Sequence, residues 1–509
     1  MKNISILGGG TAGWLTALYI RQLFPESNLT VIKSTEVGIL GAGEGSVPLL
    51  PLMLKSLKID EKELLKEVRG TFKMGISFEN WSGDNSKYIH GFGVSDVSLN
   101  YNQITTKNPI SIGLPSNGYQ FYISNLINNN GDWSKLEPST ALCYNKKSPY
   151  YKNKNGTLGQ SVGYSYHFDA HLMSQYLEKI GTSRGIMVVD SNVRDFLSDE
   201  NGNIKSTLFD DNTKLDCDFI FDCSGFHRMI IGKHYKTEWI SYEKYLKVNK
   251  AIPFFLEQDK DEITPYTHAI AMKHGWMWKI PLQHRFGCGY VFDDNYTTPE
   301  EAQKEVEEML GQKITVPRVL DFKAGRFEKV WINNCISIGL STGFTEPIEA
   351  TSIWLQLIQL MSLDRNSIEN RNQSSIKEYN DKISFVNDDI LSFLYFHYVN
   401  KRTDTEFWSN YSNTTEVPEL LKLKLESWKH RTMNENDKNF KYGFDAFSTQ
   451  SWLTVAHGNG ILNLDILSKE CETMNLNNKI DKFNKNLENN INQIIPLSIG
   501  HKEYLEKYL

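Results

Sequence analysis

The chain has 509 residues, which at about 150 residues per domain suggests roughly three domain-sized units or one large enzyme fold with insertions. Charged residues make up 23% and the hydrophobic set 40%, near ordinary globular usage, so disordered, collagenous and coiled-coil architectures are excluded. With 55 Lys and Arg against 61 Asp and Glu, the formal charge of −6 offers no footprint for nucleic acid. The first predicted elements are a strand over Ile4–Leu7, a glycine break at Gly8–Gly10, a helix over Thr11–Phe24 that Pro25 stops, and a second strand over Leu29–Ile32. This is the opening βαβ unit of a dinucleotide-binding fold. Gly8, Gly10 and Gly13 match G-x-G-x-x-G, in which the glycines permit the turn, the backbone's approach to a pyrophosphate and close helix packing. Where an acid is expected about 20 residues onward, the second strand ends on Lys33. Two readings stay open: a preference for a phosphorylated ribose as in NADP, or a ribose held differently, with Glu36 as a substitute.

The segment VGILGAGEGSVP around Gly38 to Gly45 is dense in glycine, which is costly to order and points to a second loop lying against a cofactor. Residues 50–70 read as an amphipathic helix and Thr71–Trp81 as a strand. From 82 to 160, Asn, Ser, Gly and Tyr dominate, as in long loops over a sheet. Helical spacing returns over Tyr164–Gly185, followed by a strand at Ile186–Val189 and a hairpin centred on Asn201 and Gly202. Asp218–Gly225, DFIFDCSG, is an apolar strand running into a second permissive turn. Two such turns far apart in sequence fit an extended cofactor such as FAD, whereas a simple NAD site needs the first only. Residues 250–340 read as strand-rich, and from Ile353 to the end the pattern is mostly helical.

Six cysteines at 143, 217, 223, 288, 335 and 471 form no C-x-x-C pair and no cluster with histidine, which favours reduced thiols in a cytoplasmic protein over a disulfide framework or a metal site. No apolar stretch approaches the length of a membrane span, and the glycines near the N-terminus do not suit a signal peptide.

Two further motifs narrow the reading: WMWKIP at Trp276–Pro281 and GLSTGFTEPIEAT at Gly339–Thr351. With GGGTAGW, GEGSVP, TFKMGISFENW, YIHGFG, YHFDA, DCSGF, RTDTEFW and SWLTVAHG in the same order, the chain from residue 3 to about 457 closely resembles the flavin-dependent tryptophan halogenases. The resemblance implies an α/β, Rossmann-like FAD-binding fold of the flavin monooxygenase and halogenase type. Residues 1–350 would form the FAD-binding module, with dinucleotide segments at 3–48 and 160–226 and substrate-region strands at 71–150 and 250–340; residues 351–509 would form a mostly helical C-terminal region. It also implies a two-component reaction. FADH2 from a separate NAD(P)H flavin reductase, oxygen and halide yield hypohalous acid, which passes through an internal tunnel to a small aromatic substrate. No nucleic acid or membrane partner is expected, and a homo-oligomer is left open.

Residue by residue, the cofactor contacts expected are Gly8, Gly10, Thr11, Ala12, Gly13, Lys33, Gly43, Glu44, Gly45, Asp222, Gly225 and Gly339. Lys73, set among Phe72, Met74 and Phe78, matches the family's catalytic lysine, which binds hypohalous acid or forms a haloamine. Glu349 matches the glutamate that orients the halogenating species and takes the ring proton, with Glu346 as the structural neighbour. Thr351 and Ser352 fall where the family binds halide through backbone amides; Ala350 and Ser352 stand where tryptophan-specific members commonly have Ser and Gly. Trp276 and Trp278, two apart on a strand, face the same side, and the resemblance implies that they form a wall between flavin and substrate and that His90, Phe92 and Trp452 line the substrate. KYGFDAFSTQSW lacks the adjacent tyrosines and the glutamate with which tryptophan-specific members grip the amino acid's charged end, which argues against free tryptophan and for another indole or a phenol. The alternatives weighed are an FAD-dependent aromatic monooxygenase and a non-catalytic flavin-binding protein.

Overall fold

A computed structural model of the chain describes residues 1–36, 38, 43–93, 127, 129, 131–258, 263–414, 416–433, 437, 446–473 and 477–509. Parts of three sequence readings fall outside them: residues 39–42 of the second glycine loop, 94–126 of the loop-rich stretch and 441–445 of the C-terminal motif. The chain divides into two compact units, one of residues 1–70, 168–246 and 322–387, the other of 71–167, 247–321 and 388–509. Residues 322–387 thus group with the N-terminal segment, whereas the sequence reading divided the chain at 350.

The first unit is built on a six-stranded sheet in the order Met187–Asp190, Asn28–Lys33, Asn3–Leu7, Phe219–Asp222, Cys335–Ser337 and Trp331–Ile332, parallel except at the last pair. Ile4, Ile6, Val31, Phe219 and Phe221 are buried, as the strands of a covered parallel sheet must be. The helix Thr11–Leu23 packs on the helix Ala170–Ser183: Gly181 lies so close to Trp14 that a Cβ there would stand 2.5 Å from the indole. The second unit carries a seven-stranded sheet in the order Leu320–Asp321, Lys250–Glu257, Arg285–Phe292, Gly275–Pro281, Thr267–Met272, Gly75–Glu79 and Lys87–Gly91. All its pairings are antiparallel except that of Thr267–Met272 with Gly75–Glu79.

Three predicted elements are divided or reassigned. The helix expected over 50–70 is two helices, Leu49–Ser56 and Glu61–Glu67, because Lys58 turns left-handed at φ +55° and Asp60 caps the second by accepting from Glu63 N–H at 2.8 Å. The strand expected over Thr71–Trp81 is two strands, Thr71–Lys73 and Gly75–Glu79, which pair with different partners. The helix expected from Tyr164 starts only at Ala170, where Asp169 accepts from His171 and Leu172 N–H; Ser165–Phe168 before it is a strand pairing antiparallel with Thr71–Lys73. Strand-rich 250–340 and the mostly helical remainder are as read, with one late exception, the strand Ser498–Gly500. No described helix is long and apolar enough to cross a membrane.

Trp14 is fully buried, so Trp14→Ala is expected to destabilise the first unit by about 3–5 kcal/mol, measured as a lower urea midpoint for its unfolding.

Candidate active site

In the first unit, Gly8 leaves the strand Asn3–Leu7 at φ +123°, and a Cβ on it would stand 2.2 Å from the carbonyl oxygen of Cys223. A Cβ on Gly13 would lie 1.8 Å from the carbonyl oxygen of Gly8, so both positions admit only glycine. Gly10 is the N-cap of the helix Thr11–Leu23, has nothing within 4 Å of an added Cβ, and is followed by a first turn with no side-chain cap and no acid. Helix N–H donors beginning at Thr11 and Ala12 are thereby left to an anion, and the donor set fits the pyrophosphate of FAD. Gly339, at φ +70°, approaches the same turn: its added Cβ would be 3.3 Å from Ala12 Cβ.

Asp222 is buried, and its carboxylate is taken up by four donors: Ser224 N–H at 3.0 Å and hydroxyl at 2.6 Å, Ile230 N–H at 2.8 Å and Ile231 N–H at 3.2 Å. It thus orders the turn in which Gly225 sits at φ +63°. Lys33 Nζ is bonded to both carboxylate oxygens of Glu178 at 2.7 and 2.9 Å, and Glu36 accepts from Asn192 Nδ2 at 2.7 Å. Gly43, at φ +88°, leads into the two-residue strand Glu44–Gly45. Burial, then the neighbouring Asp169, push the Glu44 carboxyl up to about 7.

Later in the same unit, Glu346 and Glu349 are both buried. Ala350 is left-handed, φ +55° and ψ 33°, a strained conformation for a residue with a Cβ, and is the N-cap of the helix Thr351–Met361. That helix also begins without a side-chain cap or a first-turn acid, while Thr351 Oγ1 lies 3.2 Å from Thr345 Oγ1. A left-handed residue ahead of a helical turn converges successive N–H groups, at Thr351 and Ser352, into a concavity suited to a small anion.

In the second unit, Lys73 is 1% exposed, and its Nζ lies 5.2 Å from the centroid of the Phe92 ring. The ring face attracts a cation, an interaction that strengthens once water is excluded. The strand Thr71–Lys73 pairs Lys73 with Ser165 and Thr71 with His167. Thr71 Oγ1 donates to Pro281 O at 2.7 Å, so it accepts from His167 Nδ1 at 3.0 Å, which leaves His167 Nε2 to accept from Thr267 Oγ1 at 2.9 Å. Burial, then the charge of Lys73, hold the His167 imidazole well below its usual range, so it stays neutral beside the lysine.

Trp276 and Trp278 lie on one face of the strand Gly275–Pro281, ring centroids 6.3 Å apart. Trp278 lies between the small residues Ala269 and Gly289, while Trp276 lies between Ala271 and Val291. A Cβ on Gly289 would be 2.1 Å from the Trp278 indole, so that ring occupies the space a side chain there would need. His90 is buried and reaches Phe393 at 5.8 Å between centroids; Phe393 in turn meets Trp452 at 4.9 Å and stacks on Phe447 at 3.7 Å. Sequence reading missed His167, Phe393 and Phe447. His167 lies inside the quoted motif YHFDA and Phe447 inside the quoted C-terminal motif, whereas Phe393 falls in ordinary apolar spacing that gives no sign of its role.

Gly8→Ala is expected to abolish FAD binding, read as loss of saturable quenching of FAD fluorescence. Glu44 binds its proton more tightly folded than unfolded. The first unit therefore loses stability as pH rises from the ordinary carboxyl range through about 7. Glu44→Gln is expected to flatten that part of the plot of urea midpoint against pH.

The tryptophan halogenase family model matches residues 3–469. The tryptophan 7-halogenase RebH of Lentzea aerocolonigenes is 31% identical over 435 residues, covering 80% of this chain and 78% of that protein. The tryptophan 6-halogenase SttH of Streptomyces toxytricini is 27% identical over 498 residues, covering 91% and 90%. Among solved structures, Xcc4156, a flavin-dependent halogenase from Xanthomonas campestris, superposes with a TM-score of 0.85 at 26% identity over 100% of this chain and 98% of that one. The glycine-bounded turns, the open helix N-terminus and these likenesses agree: the chain belongs to the tryptophan halogenase family and is a flavin-dependent halogenase.

Proposed function

We propose that the chain halogenates an electron-rich aromatic ring of the indole or phenol type, with Lys73 and Glu349 as its catalytic residues. Bound along Gly8–Gly13, Gly43–Gly45, Gly225 and Gly339, FADH2 with oxygen supplies the oxidising equivalent that turns halide into hypohalous acid. A separate flavin reductase provides the reduced cofactor. The backbone concavity that starts at Ala350 supports Thr351 and Ser352 as the halide site.

The observation that carries this reading is the buried Lys73 amine over the Phe92 ring. An ammonium in an apolar setting is a strong donor with few competing water partners. It would bond the oxygen of hypohalous acid, so that as the ring carbon takes the halogen the oxygen–halogen bond breaks and hydroxide leaves as water with a proton from the amine. Buried Glu349 would accept the proton that the ring carbon gives up. Trp276 and Trp278 are the expected wall against direct oxygen transfer to substrate, and His90, Phe92 and Trp452 the expected ring-stacking surfaces. Free tryptophan is not the proposed substrate, because the sequence lacks the family's grip on its charged end.

The test is product analysis with a flavin reductase, FAD, NADH, oxygen and chloride, bromide or iodide against a panel of indoles and phenols. A halogenated ring is expected; a hydroxylated ring alone would instead make the chain a monooxygenase. Lys73→Ala and Glu349→Gln are each expected to lower halogenation by about 10²–10⁴-fold while FAD binding persists. Unchanged halogenation in both would remove Lys73 and Glu349 from the chemistry, whereas flavin binding with no halogenated or hydroxylated product from the unaltered chain would point to a non-catalytic flavin-binding protein.

A further inference from the structure

Lys73 occupies the end of a three-residue strand, and the N–H groups of its two neighbours, Phe72 and Met74, are held on the edge away from Ser165–Phe168. Met74 N–H donates to Pro265 O at 2.7 Å. This bond continues the parallel ladder in which Ile76 faces Thr267 and Ser77 faces His268, at the same offset along the chain. The next partner at that offset for Phe72 is Ile263, but no direct bond joins them. Phe72 N–H donates instead to His501 Nε2 at 3.2 Å, and the other ring nitrogen, Nδ1, lies 3.0 Å from Ile263 O. A carbonyl only accepts, so Nδ1 carries the hydrogen and Nε2 is the bare acceptor that Phe72 requires. The imidazole thus fills the gap where the two chains part, one ring standing in for a backbone bond.

His501 is itself fixed. It is fully buried, its N–H donates to Lys146 O at 2.9 Å, and it starts the helix His501–Lys507 directly after the strand Ser498–Gly500, which pairs with Lys147–Lys152. Tyr504 of that helix packs on the Phe72 ring at 5.0 Å and stacks on Tyr150 at 5.2 Å. Phe72 and Lys73 project to opposite faces of their strand. Clamping Phe72 by its ring and its N–H therefore sets the height and direction from which the Lys73 side chain departs. His501 and Tyr504, with the strand and helix that carry them, lie beyond residue 469, where the family match ends, whereas the residues they hold lie within it.

We propose that His501 is a positioning residue for Lys73: as the Nδ1–H tautomer it bridges Ile263 O to Phe72 N–H and so fixes the strand that aims the amine. The proposal rests on Lys73 being the catalytic amine. Displacement of that amine by about 1 Å is enough to cost on the order of 10²-fold in rate, without touching the cofactor cradle of the first unit.

The experiment compares His501→Gln, whose amide can accept from Phe72 and donate to Ile263, with His501→Phe, which keeps a ring and loses both bonds. Each is assayed for halogenated product, for flavin oxidised, and for hypohalous acid escaping to a β-diketone trap. His501→Phe is expected to lose about 10–100-fold in kcat for product, with flavin oxidation unchanged and trapped hypohalous acid raised. His501→Gln is expected to stay within about 3-fold of the unaltered enzyme, the spread left by an imperfect amide geometry. Equal coupling in His501→Phe, failure of His501→Gln to rescue, or a parallel fall in flavin oxidation overturns the proposal. Lys73→Ala runs alongside: retained halogenation there refutes the lysine reading itself, whereas loss there with intact His501→Phe refutes only the role of His501. Should His501→Phe not fold, ¹⁵N-histidine spectra decide. The resonance that vanishes in His501→Gln must show a bare Nε2 at neutral pH, and a protonated Nε2 overturns the proposal.

Discussion

A lysine amine with 1% exposure has given up nearly all its water, and the second unit is arranged around what replaces it. The Phe92 face lies 5.2 Å from Nζ, and the adjacent His167, kept neutral by its burial and by Lys73 and oriented by Thr71 and Thr267, adds no second positive charge. The three-residue strand that carries Lys73 is too short to be rigid by its own pairing. It is held through Ser165–Phe168 on one edge and through Pro265 O and His501 on the other. Burial of an ionisable group of this kind is typical of positions where reactivity matters more than stability.

The first unit obeys a different constraint, close approach of backbone to backbone. Gly8 and Gly13 cannot carry a Cβ because Cys223 and Gly8 oxygens already occupy the space, and that contact sets the helix Thr11–Leu23 with its N-terminus open. Asp222 contributes at one remove, by ordering the turn at Gly225 rather than offering a free carboxylate. Lys33 is likewise committed, to Glu178. Internal bonds and close approaches hold both turns, and a turn already ordered loses little further entropy when a ligand settles against it.

How far these features could be read from sequence follows from how local their causes are. The glycine triplet, the alternate tryptophans and the N-terminal βαβ unit express short-range geometry, and motif spacing exposes them. The division at Met74 does not, since its N–H is taken by Pro265 O, far away in the chain. The strand Ser165–Phe168 was hidden because its aromatic run merges with the helical spacing that Asp169 then starts. His501 gave no signal at all: its partner Phe72 is 429 residues away, and one histidine in a polar helix has no period to detect.

The central claim is that the buried Lys73 amine, and not the flavin chemistry upstream of it, delivers halogen to the ring. Lys73→Met keeps the length and removes the charge, so a single turnover with one equivalent of FADH2, bromide and an accepted indole separates the two steps. The account predicts flavin oxidation at the unaltered rate with no halogenated indole and a matching amount of free hypobromous acid. A halogenated indole formed in the same yield per flavin as in the unaltered enzyme would contradict it.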